Sequence, residues 1–341
     1  MNIKTIKRAP LTVISILLSA AIMAFYLITT KNQQINSTPD LSSEPPWPSE
    51  VIHITYNSDA DNTPQPALFY KSEGTEAQPL LVALHSWSGG YQQNASIPYA
   101  EWCIKNNWVF IHPNFRGSNN KPEATGSDMV IQDILSAVEY AKDNANVDPN
   151  RIYLVGASGG GYTALMVAAK SPTIWAGVSV WVPITDLSAW YFQSKQLNTK
   201  YAADIVKSLG GKPGSSAEVD LAYRNRSPIT HLSTLSSTPI DINAGINDGH
   251  AGGLVPISHS LLAYNSLVSP EYRISEEDIR YFDEYAQVPA HLTDSSLHDA
   301  SYGEKTPLFR RQAENARITI FSGGHEIVFN AALTWLAQQQ K

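Results

Sequence analysis

LVGASGGGYTAL, residues Leu154 to Leu165, carries an apolar, strand-like run into four glycines set around one serine, then into residues that favour a helix. Glycine concentrates where the backbone doubles back, so the stretch reads as an abrupt strand-to-helix turn. Gly156-Ala157-Ser158-Gly159-Gly160 fits G-x-S-x-G in the setting that motif requires, after an expected strand and ahead of an expected helix. Such a turn holds its serine in a strained conformation, hydroxyl bared, beside the free N–H groups and positive dipole end of the following helix. The competing reading is a glycine-rich turn with an incidental serine. A phosphate cradle fits less well, because neither G-x-G-x-x-G nor a P-loop lysine pattern is present.

The flanking sequence places this turn in an α/β fold. PLLVALH (79–85), WVFIHP (108–113), IYLVG (152–156), GVSVWV (177–182), PIDINAG (239–245) and ITIFSG (318–323) are short and nearly continuous in apolar residues, as buried parallel strands are. VIHITYN (51–57) and PALFYK (66–71) alternate enough to form an antiparallel pair at the edge, giving a mostly parallel eight-stranded sheet. Between the strands lie helical patterns: Ile131, Ile134, Leu135, Val138 and Ala141 recur at three and four, with Ser127 as N-cap, and Glu326 to Gln339 reads as a closing amphipathic helix. Strands alternating with helices imply a sheet covered on both faces.

A serine hydroxyl is a poor nucleophile without a base, and the base needs an acid to hold its tautomer and stabilise the imidazolium. Asp248, in NDGH just past PIDINAG, and His325, in GGHE just past ITIFSG, both sit at the C-terminal end of an expected strand, where side chains reach such a site. Asp241 lies inside its strand and reads as a buried or edge acid, while His250, close to Asp248, fits a pocket lining better than the base. His231, His259, His291 and His298 lack the strand-end setting and read as surface or packing residues. The oxyanion hole combines the Gly159 N–H with one from His85-Ser86-Trp87-Ser88-Gly89-Gly90, Trp87 first and Ser86 second, and His85 reads as shaping that loop. Trp87, Tyr162, Trp181 and His250 are candidates to line the substrate site. Trp181, Trp190 and Tyr191 could stack on a sugar or an aromatic acyl group, although such residues usually pack.

The bulk properties exclude several classes. In 341 residues, 43% apolar with a net charge of -7, the cations are scattered, so no basic stripe exists to hold nucleic acid. Cys103, the single cysteine, excludes an intrachain disulfide and a multi-cysteine metal site. No metal or organic cofactor is required by the chemistry inferred. Lys4, Lys7 and Arg8 precede an uncharged apolar run from about Leu11 to Ile28, the pattern of a signal peptide or signal anchor over 1–30, the anchor slightly favoured. The remainder of the chain is then expected outside the cytoplasm, in the periplasm or a comparable extracytoplasmic space, and attached to the membrane if the segment is kept. Residues 31–50, rich in Asn, Gln, Ser and Pro, read as a linker ahead of one catalytic domain over 51–341.

GASGGGY (156–162), PNFRGS (113–118), VDPNRI (147–152), RSPITH (226–231), GINDGHAGGLVP (245–256) and GGHE (323–326) make the chain resemble the α/β-hydrolase superfamily and, more narrowly, the prolyl oligopeptidase catalytic domain. The resemblance assigns nucleophile, acid and base to Ser158, Asp248 and His325, in agreement with the strand-end argument. Two departures from the family pattern stand out. The residues before Val51 have no room for the family's substrate-filtering propeller, which shifts weight from oligopeptides towards esters. Between acid and base lies an extra stretch of about 269–315, helical first and loop-like later, either a lid or a peripheral decoration, in which Arg310 and Arg311 could meet an anionic substrate. The expectation is an exported serine hydrolase of carboxylic esters, small or borne on carbohydrate. The alternatives are a peptidase for short peptides and a non-catalytic binding protein on a hydrolase fold.

Overall fold

A computed structural model describes residues 46–341 apart from Ser236, Ala251 and Gly252. The expected signal or anchor over 1–30 and the linker up to residue 45 lie outside the described residues. Within the described residues no helix is long and apolar enough to cross a membrane. Trp47, in the segment read as linker, packs on the rings of Phe110 and His112 and donates from Nε1 to the Gln92 carbonyl.

The strands are β1 (Ile52–Asn57), β2 (Pro64–Tyr70), β3 (Gln78–Leu84), β4 (Val109–Pro113), β5 (Val147–Ala157), β6 (Gly177–Trp181), β7 (Ile240–Gly245), β8 (Pro307–Ala313) and β9 (Ala316–Phe321). They form one sheet in the order β1-β2-β4-β3-β5-β6-β7-β9-β8. From β4 to β9 neighbours run parallel, with β1 and β2 antiparallel at one edge and β8 antiparallel at the other. The central strands are buried on both faces, which explains their unbroken apolar runs.

Helices α1 (Ile97–Asn106) and α9 (Phe329–Leu336) meet through Tyr99 and Phe329 on one face, and α2 (Asp128–Asn144), α3 (Gly159–Lys170) and α7 (Ser258–Leu267) cover the other. Ser127 caps α2 by accepting the Val130 N–H, as its sequence position indicates. Helix α3 is buried from Gly159 to Ala169, so its lack of a polar face follows from its place between sheet and outer helices. Helices α4 (Leu187–Gln196), α5 (Tyr201–Leu209) and α6 (Ala217–Asn225) follow β6, and α8 (Glu276–Tyr285) packs on α7.

The sheet has nine strands, not eight. The additional strand, β8, lies in the stretch read as loop-like. Its alternation is interrupted by the adjacent Arg310 and Arg311, and its turn is Glu314-Asn315 with Glu314 at φ 51°, not the glycine-containing pair that signals a hairpin. Much of the 269–315 stretch is thereby part of the sheet and its flank. Tyr302 packs beside Trp181 and donates to Asn243 Oδ1 at 2.5 Å. Arg310 donates to Thr319 and Asp299, and Arg311 donates to the Arg273 carbonyl, so both arginines are committed to the fold. The closing helix, Phe329–Leu336, is shorter than expected at both ends, and Glu326 lies outside it, its carboxylate accepting from Gly324 N–H and Lys305 Nζ. Asp241 is fully buried and pairs with Arg317 at 2.8 Å while accepting from Ser179 and Asn243.

Candidate active site

Ser158 stands between the end of β5 and the start of α3 with φ 56° and ψ −120°, a conformation that costs a residue with a Cβ about 1–3 kcal/mol. The turn is held from both sides, because Ser158 N–H donates to the Trp181 carbonyl and Tyr162 N–H to the Ser158 carbonyl. A methyl group at Gly156 would overlap the backbone of Gly160, and one at Gly159 would overlap the backbone nitrogen of Trp87. These two glycines are therefore required by close approach.

The chain brings His325 to Ser158 across 167 residues of separation, and Asp248 to His325 across 77. His325 Nε2 is 2.8 Å from Ser158 Oγ, and His325 Nδ1 is 2.7 Å from Asp248 Oδ2. The other Asp248 oxygen, Oδ1, accepts three backbone N–H groups, from Gly249 at 3.0 Å, Leu254 at 3.0 Å and Val255 at 3.1 Å. With the aspartate 1% exposed, those bonds fix which oxygen faces the imidazole. Nothing local in NDGHAGGLVP announces that wrapping; it requires Gly249 at φ 82° to bring the chain back over the carboxylate.

The loop expected to form the oxyanion hole treats the N–H groups of Ser86 and Trp87 differently. Ser86 N–H donates to Gln93 Oε1 at 3.0 Å, and Ser86 Oγ donates to the same oxygen at 2.9 Å, so the Ser86 N–H is spent. Trp87 N–H has no protein acceptor among the described residues and lies against Gly159, whose own N–H opens α3. Two unspent donors thus adjoin Ser158. His85 is fully buried, its Nδ1 2.9 Å from the Ser86 carbonyl and its Nε2 2.8 Å from the Asn114 carbonyl, stacked on Phe115. It ties the loop to the chain after β4, and burial pushes its pKa below the ordinary histidine value. Gln93, unremarkable in sequence, is the residue here that the motifs did not point to.

The expected substrate-lining residues are placed differently. Trp181 is fully buried beneath the site with Nε1 donating to Ser179 Oγ, and Tyr162 is fully buried with its hydroxyl donating to the Arg226 carbonyl. Neither ring offers a face to a ligand, because each packs within the layer between sheet and helices. Trp190 is buried too and only Tyr191 is part-exposed. His250 is half-buried near Asp283. His259 is buried, Nδ1 accepting from Thr185 N–H and Nε2 facing Gln193 Oε1, and burial lowers its pKa to about 4. His231 contacts the Asn225 carbonyl, His291 lies 3.2 Å from Asp278 at the surface, and His298 is exposed. Among the described residues no group of three or more His, Cys, Asp or Glu is arranged to hold a metal ion.

A model of the prolyl oligopeptidase family, Peptidase_S9, matches residues 96–282, more than half of the chain. The chain belongs to the prolyl oligopeptidase family. Its fold is the α/β-hydrolase fold, as the sequence motifs led one to expect. Curated relatives include the uncharacterized protein YfhR of Salmonella typhi, 26% identical over 37% of this chain and 44% of that protein. Another is an acetylxylan esterase of Coprinopsis cinerea, 29% identical over 33% of each chain. Among solved structures, an acylaminoacyl peptidase in complex with Z-Gly-Gly-Phe-chloromethyl ketone superposes with a TM-score of 0.59 at 17% identity, over 85% of this chain and 42% of that one. The matched region spans less than half the length of each of these three proteins.

Proposed function

We propose that this protein is a serine hydrolase that cleaves carboxylic esters, including acyl groups carried on carbohydrate, through an acyl-enzyme on Ser158. One observation carries the reading: the Ser158–His325–Asp248 chain of contacts at 2.8 and 2.7 Å ends beside two unspent N–H groups at Trp87 and Gly159. His325 Nε2 takes the hydroxyl proton as Oγ bonds to the carbonyl carbon, and the two N–H groups hold the oxyanion. The intermediate collapses by breaking the bond to the leaving oxygen, which receives that proton from His325. Water then attacks the acyl-enzyme with His325 again as base, releasing the acid and restoring Ser158. Asp248 keeps the Nδ1–H tautomer and stabilises the imidazolium in both halves.

The acetylxylan esterase among the relatives supports an ester on a carbohydrate carrier, and the charged and apolar start of the chain supports export, with the membrane as a partner of an uncleaved segment. The test sets p-nitrophenyl acyl esters and acetylated xylan against aminoacyl and prolyl p-nitroanilides. Ester turnover that disappears in Ser158→Ala is expected. Amide cleavage with negligible ester turnover would transfer the assignment to a peptidase, and a Ser158 that a fluorophosphonate leaves unlabelled would remove catalysis altogether.

A further inference from the structure

The Trp87 N–H lies in a stretch that belongs to neither helix nor strand, so its direction is set by whatever holds the residues around it. Gln93 holds the Ser86 side. The far side is held by the chain that follows β4. Asn119 N–H donates to the Trp87 carbonyl at 2.8 Å, and Ser118 Oγ is shared between the carbonyls of Ser88 at 3.0 Å and Gly89 at 3.2 Å. The Asn114 carbonyl meets His85 Nε2 at 2.8 Å, and the Phe115 ring stacks on His85 with centroids 3.8 Å apart. These contacts flank one turn, Phe115-Arg116-Gly117, whose φ values of 32°, 74° and 71° all fall in the left-handed region. Two of the three residues carry a Cβ and keep that conformation only where their surroundings impose it.

The surroundings here are two carboxylates gripped by one guanidinium. Arg116 Nε and Nη2 donate to the two oxygens of Asp133, each at 2.8 Å, and Nη1 and Nη2 donate to those of Asp61 at 2.8 and 2.9 Å. Asp133 is fully buried on α2, so the turn is fastened to a helix that packs on the sheet. Paired charge-assisted bonds of this kind fix direction as well as distance.

We propose that Arg116 is a positioning residue for the oxyanion hole: its double fork to Asp133 and Asp61 keeps the 115–117 turn left-handed, and the turn aims the Trp87 N–H at the developing oxyanion. This rests on the serine-hydrolase reading and extends it to a side chain outside the Ser158, His325 and Asp248 set. A donor aimed at the oxyanion acts chiefly in the transition state, so misdirecting it lowers kcat and leaves KM almost unchanged.

The experiment measures kcat and KM for the full chain, Arg116→Met, Arg116→Lys and Asp61→Ala, on p-nitrophenyl acetate or on whichever p-nitroanilide the wild type cleaves. Rates are expressed per serine that reacts to completion with a fluorophosphonate, which removes any unfolded fraction. Lysine keeps the charge but forms neither fork, and Asp61→Ala removes one fork, so both leave Asp133 beside a cation. Displacement of a catalytic group by about 1 Å costs about 100-fold, the loss expected in kcat for Arg116→Met, with about tenfold for the other two and KM within about threefold. The Ki of a trifluoromethyl ketone, whose adduct on Ser158 places an oxyanion in the hole, should rise by the factor by which kcat/KM falls. Arg116→Met strands the buried Asp133, and if it does not fold the other two variants decide. A kcat within about twofold of wild type in both of those, a loss confined to KM, or an unchanged Ki beside a fallen kcat/KM overturns the role of Arg116 while the hydrolase reading stands. A wild type that cleaves neither ester nor amide and takes up no fluorophosphonate at Ser158 overturns both.

Discussion

Asp248→Asn changes one atom of a buried carboxylate, and the structure determines which way the new amide faces. Three backbone N–H groups converge on Oδ1, so the single carbonyl oxygen of asparagine takes that place and its NH2 group turns towards His325 Nδ1, 2.7 Å from the atom it replaces. Two donors then confront each other. The conflict is relieved when His325 carries its proton on Nε2, and a protonated Nε2 cannot accept from Ser158 Oγ at 2.8 Å. Restoring the productive tautomer costs roughly 2 kcal/mol, the value of a buried donor left without its acceptor. The lost carboxylate also withdraws about 4 kcal/mol from the imidazolium formed in the transition state, taking charge centres near 4 Å and an effective dielectric constant near 20. About 6 kcal/mol is roughly a 10⁴-fold loss in kcat, similar to the loss of about 10⁴ for the corresponding change in a serine protease triad. The assay is kcat on p-nitrophenyl acetate from pH 6 to 9, with the thermal midpoint as control. A variant that keeps kcat within about tenfold of wild type at an unchanged midpoint would refute the tautomer argument.

Gln93→Ala releases the Ser86 N–H and hydroxyl together, so the loop loses what directs Trp87 N–H to the oxyanion. Expected is a fall in kcat of about 10–100-fold with KM little changed, and a KM effect alone would contradict the assignment. The buried imidazoles of His259, lowered to about 4, and His112, lowered to about 3, are both depressed by desolvation from an ordinary 6.5. Because the unfolded chain binds these protons first, their stability is intact above pH 6.5 and drains away as pH falls from 6.5 towards those values. For His259 alone the full loss is about 3 kcal/mol. Urea midpoints at pH 7.5 and 5 measure it, and His259→Gln should flatten that slope; equal midpoints in the wild type would contradict it. Asp241→Ala strands the buried Arg317 guanidinium and should cost about 3–5 kcal/mol in urea unfolding, whereas a loss under about 1 kcal/mol would mean that water reaches Arg317.

The amino-acid sequence by itself determined the α/β class, the serine turn and the strand ends that carry Asp248 and His325. These depend on local periodicity and on chain order: parallel strands buried on both faces must be continuously apolar, and each delivers its next residue to the same end of the sheet. Tertiary structure alone decided which N–H of the HSWSGG loop remains free, because Gln93 competes for Ser86 from seven residues away. It also decided that Trp181 and Tyr162 are walls within the core and that 307–313 is a strand. An aromatic residue beside a catalytic motif reads alike whether it faces solvent or a helix, since burial is set by neighbours distant in the chain. The edge strand likewise takes its pairing from β9, against an internal pattern that two arginines interrupt.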